Sequence, residues 1–166
     1  MKFRMAMVTA VVLTFLVSVT AYASIGGDNY VWVSEDLKGE YSKIGYFRQD
    51  QMFTKIISTN SKDNVNSFDL SIGNRMISFD NSSGLYGELG VNSGSSKLNL
   101  FFGAGYTYQS SDSDVTVMIG PKYYIQDQKL VTEAQAFVRI LPPLVLSLGY
   151  DDNSKAIFVG AGLRFE

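Results

Sequence analysis

From residue 66 to its end the chain alternates, two by two, between apolar side chains and small or polar ones. Residues 97 to 109 are the clearest case. Leu98, Leu100, Phe102, Ala104, Tyr106 and Tyr108 form one set, and Lys97, Asn99, Phe101, Gly103, Gly105, Thr107 and Gln109 the other. Successive side chains of a strand point to opposite faces, so the pattern predicts a strand with one greasy face. Comparable runs recur, separated by turn chemistry at Asp80 to Gly84, Asn92 to Ser96, Ser110 to Asp114, Asp127 to Lys129, Pro142-Pro143 and Asp151 to Ser154. A slip in phase at Asn74 and Ile77 predicts a bulge near Gly73, and Pro121, which cannot donate to a ladder, predicts a bent or bulged strand. The result is seven strands in an up-and-down antiparallel meander.

The stretch before residue 66 is less regular. Tyr30 to Leu37, Glu40 to Arg48 and Gln51 to Thr59 read either as three strands or as one strand and a hairpin-like excursion, which makes eight or ten strands in all. An open meander of that length leaves two adhesive edges, so closure is expected. The fold class expected is all-β: a closed antiparallel up-and-down transmembrane β-barrel.

Alternation alone does not say which face meets solvent. A soluble barrel around an apolar ligand and a barrel in lipid share the period with opposite sense. Three features of the residues favour lipid. Gly73, Gly90, Gly103, Gly105, Gly120, Gly149, Gly160 and Gly162 all fall on the polar face, with Gly87 the exception, as a crowded lumen would select. The charged residues of that face, Asp69, Arg75, Glu88, Lys122, Glu133, Arg139 and Arg164, are nearly balanced in sign, and buried ions must pair. They constitute the candidate lumen charge network. Tyr106, Tyr108, Tyr123, Tyr150 and Phe165 gather toward strand ends on the greasy face, where a membrane boundary collects amphipathic rings.

The beginning of the chain agrees with export. Lys2 and Arg4 precede an apolar run from Met5 to Val19, and Ala21-Tyr22-Ala23 supplies a cleavage site, so residues 1–23 read as a bacterial signal peptide and 24–166 as a single barrel domain. Lys2 and Arg4 leave with the signal, and the remainder is more acidic than the whole chain's net −2. Without a basic cluster, nucleic acid is not an expected partner. The chain contains neither Cys nor His, which removes disulfides, thiol nucleophiles, Ser-His couples and imidazole metal ligands. No cofactor and no enzymatic activity are expected.

Short motifs reduce to turn chemistry. Asp112-Ser113-Asp114 and Asp151-Asp152-Asn153 offer hard oxygens but no calcium loop with a distal Glu, and Asn81-Ser82-Ser83 matches a glycosylation sequon inside a turn. The paired glycines do not extend to a nucleotide-binding G-x-G-x-x-G.

The last strand, Gly160-Ala161-Gly162-Leu163-Arg164-Phe165, resembles the closing signature of bacterial outer-membrane proteins, with Phe165 penultimate before Glu166 rather than last. That resemblance implies that Gly160, Leu163 and Phe165 form an assembly signal read by the barrel-assembly machinery. The segments RILPPLVLSLG, from Arg139 to Gly149, and VGAGLRF resemble the uncharacterised YfaZ-type family, and in size the chain is similar to barrels of the Ail and OmpX type. Enzymes of this barrel class depend on His, so the resemblance implies no catalysis here. The expected function is a monomeric bacterial outer-membrane barrel, in contact with outer-membrane lipid, with a structural or interaction role and a side-chain-filled polar lumen. Two further readings are a narrow porin for small solutes and a secreted, soluble, lipocalin-like barrel holding a hydrophobic ligand. With both chain ends periplasmic, strand parity puts the turns near residues 58–65, 92–96, 127–129 and 151–154 outside the cell.

Overall fold

The two-residue alternation becomes a hydrogen-bonded ladder that has no free edge. In the computed structural model, which describes residues 28–49, 52–62, 66–94, 97–110 and 114–165, ten strands follow one another. They are β1 (Asp28–Asp36), β2 (Tyr41–Gln49), β3 (Met52–Ser61), β4 (Ser67–Ser78), β5 (Ser83–Gly94), β6 (Lys97–Gln109), β7 (Val115–Tyr124), β8 (Lys129–Leu141), β9 (Leu144–Asp151) and β10 (Ala156–Phe165). Every strand pairs antiparallel with its chain neighbours, and β1 closes on β10 from Asn29↔Phe165 to Asp36↔Phe158. The region before residue 66 therefore contributes three strands, and the higher strand count holds. The signal peptide assigned to residues 1–23 lies outside the described residues, as do Asp112 and Ser113.

The irregularities differ in detail from the expectation. The bulge in β4 lies between Arg75 and Ile77 rather than at Gly73, so Met76 is the extra residue. A second register shift lies between Arg139 and Leu141, just before the cis Pro142–Pro143 turn. At Pro121 the β6–β7 pairing stops after Gly103↔Lys122 and resumes at Tyr106↔Ile119 in the same register, so the ladder is interrupted there without a bulge. The missing proline donor accounts for the gap.

Side chains sort as the alternation requires. On β6 Asn99, Phe101 and Thr107 are buried, whereas Leu98, Leu100, Phe102, Ala104, Tyr106 and Tyr108 are exposed. The interior is tight enough that aromatic rings lie on neighbouring backbone. A Cβ on Gly45 would stand 2.2 Å from the Trp32 indole, and one on Gly90 would stand 2.4 Å from the Phe101 ring. Glycine at these positions leaves space for a ring on the adjacent strand, which gives the sorting of glycines a specific cause.

The turns are short at both ends. The rim that holds the chain ends is called here the terminal rim, and the other the far rim. In the β4–β5 turn, Oδ1 of Asp80 accepts hydrogen bonds from the Ser82 and Ser83 amides, at 2.7 and 2.6 Å, and from the Ser83 hydroxyl. These donors, the Ser82 amide foremost, hold the Asp80 carboxyl below the usual carboxylate range. The sequon at Asn81 thus sits in a turn organised by Asp80.

Candidate functional site

Alternation directs one side chain in two into the lumen, and there the chain builds layers. Nearest the terminal rim, Arg164 donates from Nε and Nη2 to Oδ1 of Asp28 at 3.0 and 2.7 Å, and Gln109 donates to the other oxygen of Asp28. Arg139 pairs with Asp114 on the same rim.

Above these pairs lies an aromatic layer contributed by the early halves of odd strands and the late halves of even ones. Tyr30, Trp32, Phe47, Phe53, Ile57, Tyr86, Met118, Phe137 and Val145 pack as one buried cluster. Phe137 is its hub, with ring centroids 4.6 Å from Tyr30 and 4.9 Å from Trp32, and a stacked arrangement with Phe47 at 6.2 Å. The Tyr30 hydroxyl on β1 reaches Oγ1 of Thr116 on β7 at 3.0 Å. Those strands stand on different walls, with β10, β9 and β8 between them, so the contact crosses the lumen.

Toward the far rim the interior turns ionic. Lys122, only 1% exposed, pairs with Glu133 at 2.6 Å and lies 4.8 Å from the centre of the Phe101 ring. Lys55 is shared between Glu88 at 3.2 Å and Glu133 at 3.7 Å, and Ser71 donates to Glu88 at 3.0 Å. Lys43 pairs with Asp151 at 2.7 Å and lies 4.2 Å from the centre of the Phe158 ring. Lys55 on β3 and Glu133 on β8 face each other with four strands between them on either side, so this layer also spans the lumen. Charges removed from water cost several kcal/mol each unless paired, and these pairings offset that cost.

Of the seven charged residues expected in one network, the structure brings Glu88, Lys122 and Glu133 together, with Asp69 on the same half of the lumen. Arg139 and Arg164 form separate pairs at the terminal rim, and Arg75 donates to the Asn81 carbonyl there, at 3.5 Å. The single network is therefore corrected to an ionic layer and rim pairs, because the charges lie at different heights along their strands. Sequence reasoning missed Lys43, Lys55, Asp28 and Asp151. The first two sit in strands whose period was obscured by inward aromatics, and Asp151 looked like a turn residue. It also accepts from the Asn153 amide at 2.8 Å, so it serves both turn and lumen. The lumen is side-chain-filled as expected, but its polar groups share it with a buried layer of aromatic and aliphatic side chains. The signal was present in Tyr86, Met118 and Phe137, which all fall on the polar face of the alternation.

Beyond the ionic layer a cavity of about 340 Å³ opens at the far rim, lined by residues that include Tyr41, Asp69, Asn92, Tyr124, Asp127 and Asp151. Among the described residues no group of three or more acidic side chains is placed to hold one metal ion. The residues of the expected assembly signal lie on the strand that closes the barrel: Gly160 faces inward against the backbone of Val33 and Ser34, and Phe165 pairs with Asn29.

No family model matches the chain, and no curated protein matches it. Among solved structures it is similar to a chain from work described as "De novo design of transmembrane beta-barrels", with 21% identity over 83% of this chain and 95% of that one, and a TM-score of 0.41. It is also similar to the designed protein of "Solution NMR structure of de novo designed TMB2.3", with 16% identity, 86% and 97% coverage and a TM-score of 0.39.

Proposed function

We propose that this chain is a bacterial outer-membrane β-barrel with a sealed lumen, serving a structural or interaction role rather than conduction or catalysis. The observation that carries the reading is the inversion of polarity. Phe102, Leu89 and Ile72 are 50, 65 and 53% exposed on the outside, while Glu88 and Lys122 are 4 and 1% exposed inside. In water such a surface is an aggregation liability; in lipid it is the favourable arrangement. The outward residues from Leu98 to Tyr108, at ~3.3 Å per residue and a tilt of ~40°, span a height of about 25 Å, the thickness of a barrel's apolar band. The soluble lipocalin-like reading needs the opposite sense. The narrow-porin reading is opposed by the two layers of side chains that cross the lumen. Export through residues 1–23 and recognition of the Gly160, Leu163 and Phe165 strand by the barrel-assembly machinery belong to the same proposal, as does the monomeric state. The YfaZ-type likeness adds a candidate family and no activity.

The test is migration in detergent gels with and without boiling. A boiling-dependent shift is expected, and recovery in the soluble periplasmic fraction without a shift would overturn the proposal. A substitution addresses lipid directly. Ala104 faces outward near the middle of β6, so Ala104→Arg removes almost no packing. On a water-facing surface it would change stability by within about 0.5 kcal/mol. At the midplane of a bilayer the expected loss is about 2–4 kcal/mol, read by urea titration of the vesicle-reconstituted protein against Ala104→Ser.

A further inference from the structure

Between the aromatic and ionic layers the lumen encloses a small chamber of about 30 Å³, lined by residues that include Trp32, Lys55, Tyr86, Glu133, Gln135 and Gly149. Trp32 belongs to the aromatic layer and is 1% exposed. Among the described residues its Nε1 has no hydrogen-bond partner. A buried indole N–H ordinarily finds an acceptor, because an unpaired one forfeits its hydration without return. The ring edge that carries Nε1 lies over β2, since a Cβ on Gly45 would stand 2.6 Å from Cε2, the carbon bonded to Nε1. Lys43 and Phe47, the inward neighbours of Gly45 on that strand, both line the chamber, so the N–H sits at its wall.

The wall formed by β8 and β9 offers an acceptor. Gln135 donates from Nε2 to the Ser147 hydroxyl at 2.9 Å and to the Ala136 carbonyl at 3.4 Å. Its side-chain oxygen is turned toward Gly149, where a Cβ would stand 3.1 Å from it. Volume then decides the ligand. A water needs roughly 10–15 Å³ of such space and two to four polar partners, so the chamber takes one or two waters and no organic molecule. An apolar chamber would stay dry, but here the Trp32 N–H and the Gln135 oxygen are joined by the Lys55 and Glu133 side chains. Glu133 also lines the far-rim cavity, which gives water a route in. We propose that this chamber is a built water site: one water accepts from Trp32 Nε1 and donates to the Gln135 side-chain oxygen, and thereby bridges the aromatic and ionic layers. The proposal rests on the closed barrel and its lumen, not on the bilayer around it.

Trp32 is the chain's single tryptophan, so one indole resonance reports on the site. The full-length barrel, labelled with ¹⁵N-indole tryptophan and refolded in neutral detergent, is examined by rotating-frame cross-relaxation between the indole proton and water. A direct cross-peak of the sign given by a bound, long-lived water is expected. Gly149→Ala is expected to lose it, because the added methyl group occupies the space beside the Gln135 oxygen, with its next neighbour, the Phe158 Cβ, at 3.5 Å. Tyr86→Phe is expected to keep it, which separates bound water from relay through the Tyr86 hydroxyl. Boiling-dependent gel migration checks that each variant retains a closed barrel. A wild-type barrel that retains the shift but shows cross-peaks to protein protons alone, or only a chemical-exchange peak of opposite sign, would overturn the water site while leaving the membrane proposal standing. An unchanged water peak in Gly149→Ala, or its loss in Tyr86→Phe, would overturn it too.

Discussion

Lys122→Met is expected to destabilise the barrel by about 3–5 kcal/mol, the cost of removing one partner from a buried ion pair. Among the described residues Lys122 is the best buried of the lumen cations, and its loss leaves Glu133 with the more distant Lys55, which Glu88 also needs. Met fills a similar volume, so the loss measures charge rather than a cavity. The double variant Lys122→Met with Glu133→Gln separates the two contributions, since it leaves Lys55 with Glu88 and no stranded carboxylate at position 133. It is expected to recover most of the lost stability in urea unfolding of the reconstituted protein. If Lys122→Met unfolds at the wild-type urea concentration, or if the double variant is less stable than the single one, the ionic layer does not hold the far half of the lumen together.

The second large effect is expected in the aromatic layer. Phe137→Ala removes the ring against which Tyr30, Trp32 and Phe47 are arranged, and the predicted loss is about 3–5 kcal/mol, as for other buried Phe truncations. Phe137→Leu retains much of the volume and is expected to lose less than half as much, because the walls of a barrel have little freedom to collapse inward on a small void. Circular dichroism melts and urea midpoints read both variants. Wild-type stability in Phe137→Ala would mean that the layer fills space without contributing to the fold.

The two layers also explain which parts of the molecule were legible beforehand. Strands β4 to β10 were visible because their outward positions are Leu, Ile, Val, Phe and Tyr and their inward positions include glycine and polar residues, so the period of two stands out. Strands β1 to β3 were obscured for the opposite reason. Tyr30, Trp32, Phe47 and Phe53 point inward, while Thr54, Ser58 and Asn60 lie on the other face of β3, and the polarity contrast between faces fades. A pattern rule that assigns apolar residues to lipid cannot detect a strand whose largest rings fill the lumen. The candidate charges were found by face, but their height along each strand was not, and height decides which ones meet.

The sequence by itself determined the alternation, the positions of most turns and the opposition of a greasy face to a face of glycine and charge. Those are properties of neighbouring residues and need no knowledge of what lies across the barrel. Only the tertiary structure decided that Lys55 meets Glu133, that Tyr30 reaches Thr116, and that Asp69 borders an open cavity. Each depends on stagger between strands far apart in the chain, and on closure of β1 against β10. Closure fixes the lumen's width, and the width determines which side chains can reach across it.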